Sequence, residues 1–240
     1  AALGIFARLG FSADIVGGLR PRLEPVITQK VVDIQDPKEL RAQIAALRAA
    51  GQSFTYTDLM PKVRVHVDAI GASDADAVEY AYRINDGPWS FWKQGPVLDI
   101  DHPILATEGK FNVRITARYK GDSSSGSKSD ASFGFVNDYT APNLQLNAVD
   151  GRVEVQAHDN VYSKEELSMQ VRFNGGQWSA PSPLAPIEVQ SHLKQGPVKV
   201  DVLVRDPSGN ARSVRRTFGE TPDQQAARAA TSTQPVEGCA

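Results

Sequence analysis

From residue 63 onward, apolar and polar positions alternate, and they do so in two rounds. Val63, Val65 and Val67 alternate with Arg64 and His66, and Val78, Tyr80, Tyr82 and Ile84 share one side of the next run. Phe111, Val113, Ile115, Ala117 and Tyr119 make the longest run, and Phe133 and Phe135 close the round. A period of two places one face of a strand in a core and the other in water. The second round begins after Pro142 with Leu144 and Leu146, then Val153, Val155 and Ala157. Leu167, Met169, Val171 and Phe173 come next, then Val198, Val200, Val202 and Val204, and last Ala211 to Phe218.

The chain before residue 60 reads differently. Leu3 to Leu19 is punctuated by glycine, and Pro21 and Pro25 then break the chain. Val26 to Ile34 reads as a strand. A helix comes next, because Asp36 can cap it, Pro37 fits its first position and Glu39 completes a capping box. Leu40, Ile44 and Leu47 fall on one face at helical spacing, and Gly51 suits a left-handed end.

The two rounds share more than a period. Arg83-Ile84-Asn85-Asp86-Gly87-Pro88-Trp89-Ser90 returns as Arg172-Phe173-Asn174-Gly175-Gly176-Gln177-Trp178-Ser179. A repeat of roughly 90 residues is too long for a solenoid unit and suits a β-sandwich domain. The fold expected is mainly β: two tandem immunoglobulin-like β-sandwiches preceded by a small α/β-like segment with one capped helix. The boundaries expected are 1–60 for a cap or the end of an upstream domain, 61–139 and 140–219 for the sandwiches, and 220–240 for a flexible tail.

Three motifs carry a family resemblance. They are Asp138-Tyr139-Thr140-Ala141-Pro142, the Arg-x-Asn-x-Gly-x-Trp-Ser hairpin, and the ending Val200 to Asn210 with its Asp206-Pro207-Ser208-Gly209-Asn210 turn. Residues 61–219 resemble bacterial immunoglobulin-like or fibronectin type III-like repeats. The first round departs from the pattern at Lys120-Gly121-Asp122 and the serine-rich loop after it. The resemblance implies modules set in tandem on secreted and surface proteins, often appended to hydrolases or sensor domains. Fold alone does not give function.

Charge removes one class of partner. Lys and Arg number 26 against 28 Asp and Glu, a net charge of −2, without the basic excess that binding nucleic acid needs. Cys239 is the single cysteine, so no internal disulfide forms, and cysteine usage leaves the compartment open. It is read as the accidental cysteine of a linker, with an anchoring site as the alternative. No run reaches the ~18 apolar residues of a membrane helix. Arg8 and Asp14 interrupt the first 19 residues, against a signal peptide. The chain lacks an initiator Met and is expected to be a mature product or a piece of a longer protein.

Candidate chemistry is sparse. His66, His102, His158 and His192 fit no zinc spacing, and His66 and His158 read as exposed strand residues. Gly121 to Gly126 is read as a flexible loop rather than a nucleophile loop, and Gly10-Phe11-Ser12-Ala13-Asp14 fails the nucleophile elbow at its last position. Aromatic residues crowd one hairpin. Trp89 and Trp178, equivalent in the two rounds, are expected to pack over the edge or the core of the sandwiches. Trp92, with Phe91 and Tyr82, is the candidate contact for a ligand or partner. Asp138, Asp159 and Asp206 are the candidate calcium ligands, with Asp74 and Asp76 also in view, because Ca²⁺ gathers six to eight oxygens. Ordinary turn chemistry is the competing reading of these aspartates.

The function expected is a non-catalytic spacer or binding module, extracellular or on a bacterial cell surface, with protein or glycan partners. Two other readings stay open. One is the C-terminal accessory region of a secreted hydrolase whose catalytic residues lie upstream. The other is a structural subunit of a surface assembly whose edge strands pair between chains.

Overall fold

The structure is a computed structural model that describes residues 22–53, 55, 60–72, 77–123 and 126–219. The stretch at 3–19 with its Gly10–Asp14 motif, Pro21, the Asp74 and Asp76 pair, Ser124 and Ser125 of the polar loop, Cys239 and the tail from residue 220 lie outside the described residues. The chain divides into two compact units. The first takes in the chain up to Val31, Val63–Ile100 and Asn112–Phe133. The second takes in Val32–Lys62, Asp101–Phe111 and the chain from Gly134 onward.

The elements of the first round are β1 (Glu24–Asp33), α1 (Pro37–Ala49), β2 (Lys62–Ile70), β3 (Val78–Ile84), β4 (Lys93–Gln94), β5 (Val97–Ile100), β6 (Gly109–Tyr119) and β7 (Ala131–Asn137). They form two sheets, ordered β1-β2-β5 and β4-β3-β6-β7. The alternating valines explain the first sheet: Val63, Val65 and Val67 are all buried, with Lys62 and Arg64 outward. β3 and β6 pair antiparallel from Val78↔Tyr119 to Ile84↔Val113. Buried residues come from both sheets, Val65, Leu98 and Ile115 among them.

The second round has β8 (Asn143–Val149), β9 (Arg152–His158), β10 (Ser168–Phe173), β11 (Ser182–Pro183), β12 (Ile187–Glu188), the short helix α2 (Gln190–Leu193), β13 (Val198–Arg205) and β14 (Ala211–Phe218). Its sheets are β8-β9-β12 and β11-β10-β13-β14. One core joins them: Leu144, Val153 and Ile187 from the first pack with Met169, Val200, Val202 and Phe218 from the second. Each such buried aliphatic side chain contributes about 1.5–3 kcal/mol. This is a mainly β, immunoglobulin-like architecture of antiparallel sheets with one long helix near its start.

The two rounds have the same plan, a three-stranded and a four-stranded sheet with matching strand order. In that plan β1 stands where β8 stands. Yet β8 and β9 are joined by a tight turn at Asp150 and Gly151, both at positive φ, whereas α1 and the residues after it lie between β1 and β2. The boundary expected at residue 60 therefore cuts through a sheet: residues 24–33 pair with the strand at 62–70. The helix is built as its sequence predicts. The Glu39 N–H donates to Asp36 Oδ1 at 3.3 Å, Gly51 sits at φ +68°, and Leu40 is buried while Ile44 and Leu47 are half-buried.

Candidate functional site

The repeated motif builds the same hairpin end in both units. Asn85 and Asn174 stand at φ +53° and +51°, a conformation that asparagine tolerates better than most residues. Each clasps the neighbouring long strand twice. The Asn174 N–H donates to Lys199 O at 2.8 Å and its Oδ1 accepts from the Lys199 N–H at 2.9 Å. Asn85 does the same with Asn112 at 2.7 and 2.8 Å. The glycine two residues on is fixed by space. A Cβ on Gly87 would meet Ile84 O at 3.0 Å, and one on Gly176 would meet Phe173 O at 3.2 Å. The serine closes the hairpin: Ser90 Oγ accepts from the Tyr82 N–H, and Ser179 Oγ from the Val171 N–H, both at 3.0 Å.

The tryptophan of the motif does not enter either core and lies against its own hairpin. Trp89 keeps 40% of its surface and Trp178 is half-buried. Each lies beside the arginine that opens its own motif, with guanidinium to ring distances of 4.8 Å for Arg83 and 4.4 Å for Arg172. A cation over an indole face is stabilising by about 0.5–2 kcal/mol. In the second unit this stack continues into an ion pair. Asp201, with 6% of its side chain exposed, accepts from Arg172 Nε at 2.7 Å and from Arg215 on the next strand. The Arg215 hydrogen bond holds the Asp201 carboxyl below its usual range, against burial and with help from Arg172. In the first unit Arg83 faces Arg114 across the pair β3–β6.

The aromatic candidates separate on exposure. Tyr82 is buried at 5%. Trp92 is half-buried, with the Arg118 guanidinium 4.0 Å from its ring and Arg118 itself held by Glu79 at 2.6 Å. Phe91 is 93% exposed. Its place in the second hairpin belongs to Ala180, and that of Trp92 to Pro181. Trp89, Phe91 and Val97, at 40% exposure, thus leave apolar surface in the chain segment that includes the first hairpin end.

The aspartate candidates gather at one end of the second unit. Asp138 and Asp206 are each 4% exposed and Asp159 is 9%. Asp206 Oδ1 caps its own turn by accepting from the Asn210 N–H at 2.9 Å, and Asn210 Nδ2 donates to Asp138 O at 3.3 Å. Two of the three motifs behind the resemblance therefore meet here. Asp159 Oδ1 accepts from the N–H groups of Val161 and Tyr162 at 2.8 and 3.0 Å. The Oδ2 atoms of Asp138 and Asp206 are buried with no hydrogen-bond partner. Burial, then the charge of Asp206, pushes the Asp138 carboxyl up to about 6, with smaller upward contributions from Asp159 and Glu108. Burial likewise raises Asp206. Glu108 goes the other way. Burial raises it, but the hydrogen bonds from the Asn160 side chain at 2.9 Å, from Thr140 and from the Tyr139 N–H at 2.9 Å together outweigh this and lower it.

Among the described residues, no three His, Cys, Asp or Glu side chains form a group arranged to hold a metal ion. Nor is any described helix long and apolar enough to cross a membrane. Sequence reasoning missed Glu108, Ser208 and Asn210 as parts of this cluster. Asp206 to Asn210 reads as a turn, and nothing in the sequence places it beside Asp138.

No family model matches the chain, and no curated protein matches it. Among solved structures, a two-domain fibronectin type III segment of chicken tenascin is similar at 9% identity and a TM-score of 0.28. The match covers 66% of this chain and 92% of that segment. Tp47, the 47-kilodalton lipoprotein of Treponema pallidum, is similar at 12% identity and a TM-score of 0.21, over 80% of this chain and 50% of that one. At TM-scores this low neither likeness adds to what strand order and burial establish.

Proposed function

We propose that this chain is a non-catalytic β-sandwich module that binds a protein or glycan partner through the first hairpin, as part of a larger extracellular or cell-surface protein. The observation that carries the reading is Phe91. Both units build the same hairpin with the same asparagine, glycine and serine contacts, so the second serves as an internal control for what the fold requires. It has Ala180 where the first has Phe91. A phenylalanine exposed at 93% lacks the packing that would explain it, and an exposed aromatic that the fold does not require is the mark of a contact site. The surface or secreted setting, and a bacterial source, rest on the resemblance of the three motifs. The reading of residues 1–60 as the end of a hydrolase domain loses support, because residues 24–33 belong to the first sheet.

The test is a comparison of the full chain with Phe91→Ala on a glycan array and against a surface-protein extract. The variant is expected to melt within about 0.5 kcal/mol of the unaltered chain, as exposed substitutions do. Retained ligands should fall at least tenfold in affinity, in line with loss of an interface aromatic. Equal binding by both proteins would overturn the assignment of this hairpin.

A further inference from the structure

We propose that the carboxyl groups of Asp138 and Asp206 together hold a calcium ion, at the point where the Asp138–Pro142 segment meets the Asp206–Asn210 turn. The proposal is independent of what the first hairpin binds. Its ground is the pair of Oδ2 atoms. Buried carboxylate oxygens are nearly always satisfied, because an unpartnered one carries its full desolvation cost. Here two such oxygens belong to neighbouring carboxyls, each 4% exposed. Two buried like charges repel unless something positive lies between them. The groups whose charge bears on Asp138 are Asp206, Asp159 and Glu108, all acidic, with the Ser208 hydroxyl as a weaker opposing contact. Asp206 is bounded by Asp159 and by the Asn210 and Gly209 hydrogen bonds of its own turn. Among the described residues, no lysine or arginine stands among the groups that shift either carboxyl most.

The donor set selects the ion. Every group offered is an oxygen, which excludes the softer metals that prefer nitrogen and sulfur. Two carboxylates with the Ser208 hydroxyl beside Asp138 are too few acids for a three-acid metal group, and water would complete the shell. They do suit Ca²⁺, which takes carbonyl, hydroxyl and water oxygens in flexible geometry, whereas Mg²⁺ demands a near-ideal octahedron. Asp159 stands outside the ligand pair, because among the described residues the buried carboxylate oxygens without a partner are those of Asp138 and Asp206. Two charges predict a weak site, with a dissociation constant on the order of 10⁻⁴–10⁻³ M.

The experiment is a calorimetric titration of the metal-stripped full chain with CaCl₂ at constant ionic strength, with parallel thermal melts. A saturable heat is expected, with a melting temperature that climbs by roughly 5 °C at a hundredfold excess over the dissociation constant. Asp206→Asn should abolish both responses, yet melt in chelator no lower than the unaltered chain, because it removes one of two repelling buried charges. Should that variant fail to fold, terbium luminescence on the unaltered chain provides the same decision. Emission displaced by calcium and not by equal magnesium supports the site. Absence of a saturable heat up to about 10 mM calcium overturns it. So does a folded Asp206→Asn with an unchanged response, or terbium emission that calcium does not displace.

Discussion

Asp201 lies under two guanidinium groups that reach it from the strands on either side, Arg172 on β10 and Arg215 on β14. Its carboxylate is more stable in the folded chain than in the unfolded one, because those hydrogen bonds exist only there. A carboxyl held down in this way contributes stability above the ordinary aspartate range of about 4, and the contribution is lost as pH falls below it. Asp201→Asn should lower stability at neutral pH by about 1–3 kcal/mol and flatten the fall in stability between neutral and acid pH. Urea unfolding of both proteins at pH 7 and pH 3 checks this, and parallel pH dependences would contradict it. Little of this was legible in the sequence. Arg172 and Trp178 appear there as two letters of a motif, and their stack forms only once the turn at Asn174 folds one back on the other. The asparagine, glycine and serine of the motif are legible, because their roles are local to one turn.

At the scale of elements, long strands announce themselves and short ones do not. β6 and β13 have eleven and eight residues in clean alternation, and both were expected where they occur. β4, β11 and β12 have two residues each, too few for a period to exist. β1 was expected over residues 26–34 and stands at Glu24–Asp33, but its place in a sheet was not legible. Its outward face and its inward face are both largely exposed, and sequence says nothing of which strand it will join once a helix intervenes. Its anchor is Leu23, just before it, which is 0% exposed and accepts from the Lys128 N–H at 2.8 Å. Leu23→Ala should therefore destabilise the first unit by about 2–5 kcal/mol. Equilibrium unfolding measures it. An unchanged midpoint would mean that the residues before 60 stand apart from the sheet after all.

Over the whole molecule, the chain runs one plan twice and spends its differences in a few places. The repeat made the mainly β fold and the pair of sandwiches legible from sequence. It could not show that the second copy of the hairpin ends in Ala180 and Pro181 because nothing structural requires an aromatic there, since that needs the exposure of Phe91 to be known. The same comparison supplies a gain-of-function test. Ala180 and Pro181 precede the two-residue strand β11 and are both exposed, so Ala180→Phe with Pro181→Trp has room on the surface. The double variant is expected to fold with a melting temperature close to that of the unaltered chain. On a ligand-coated surface it should dissociate more slowly, because two linked contacts hold more tightly than one, by as much as ~100-fold if both are engaged together. Introduced into Phe91→Ala, the same pair of changes should restore part of the lost binding. If neither background gains, the aromatic residues act only within the first hairpin, and the contact depends on surroundings such as Arg118 and Trp92 that the second hairpin does not reproduce.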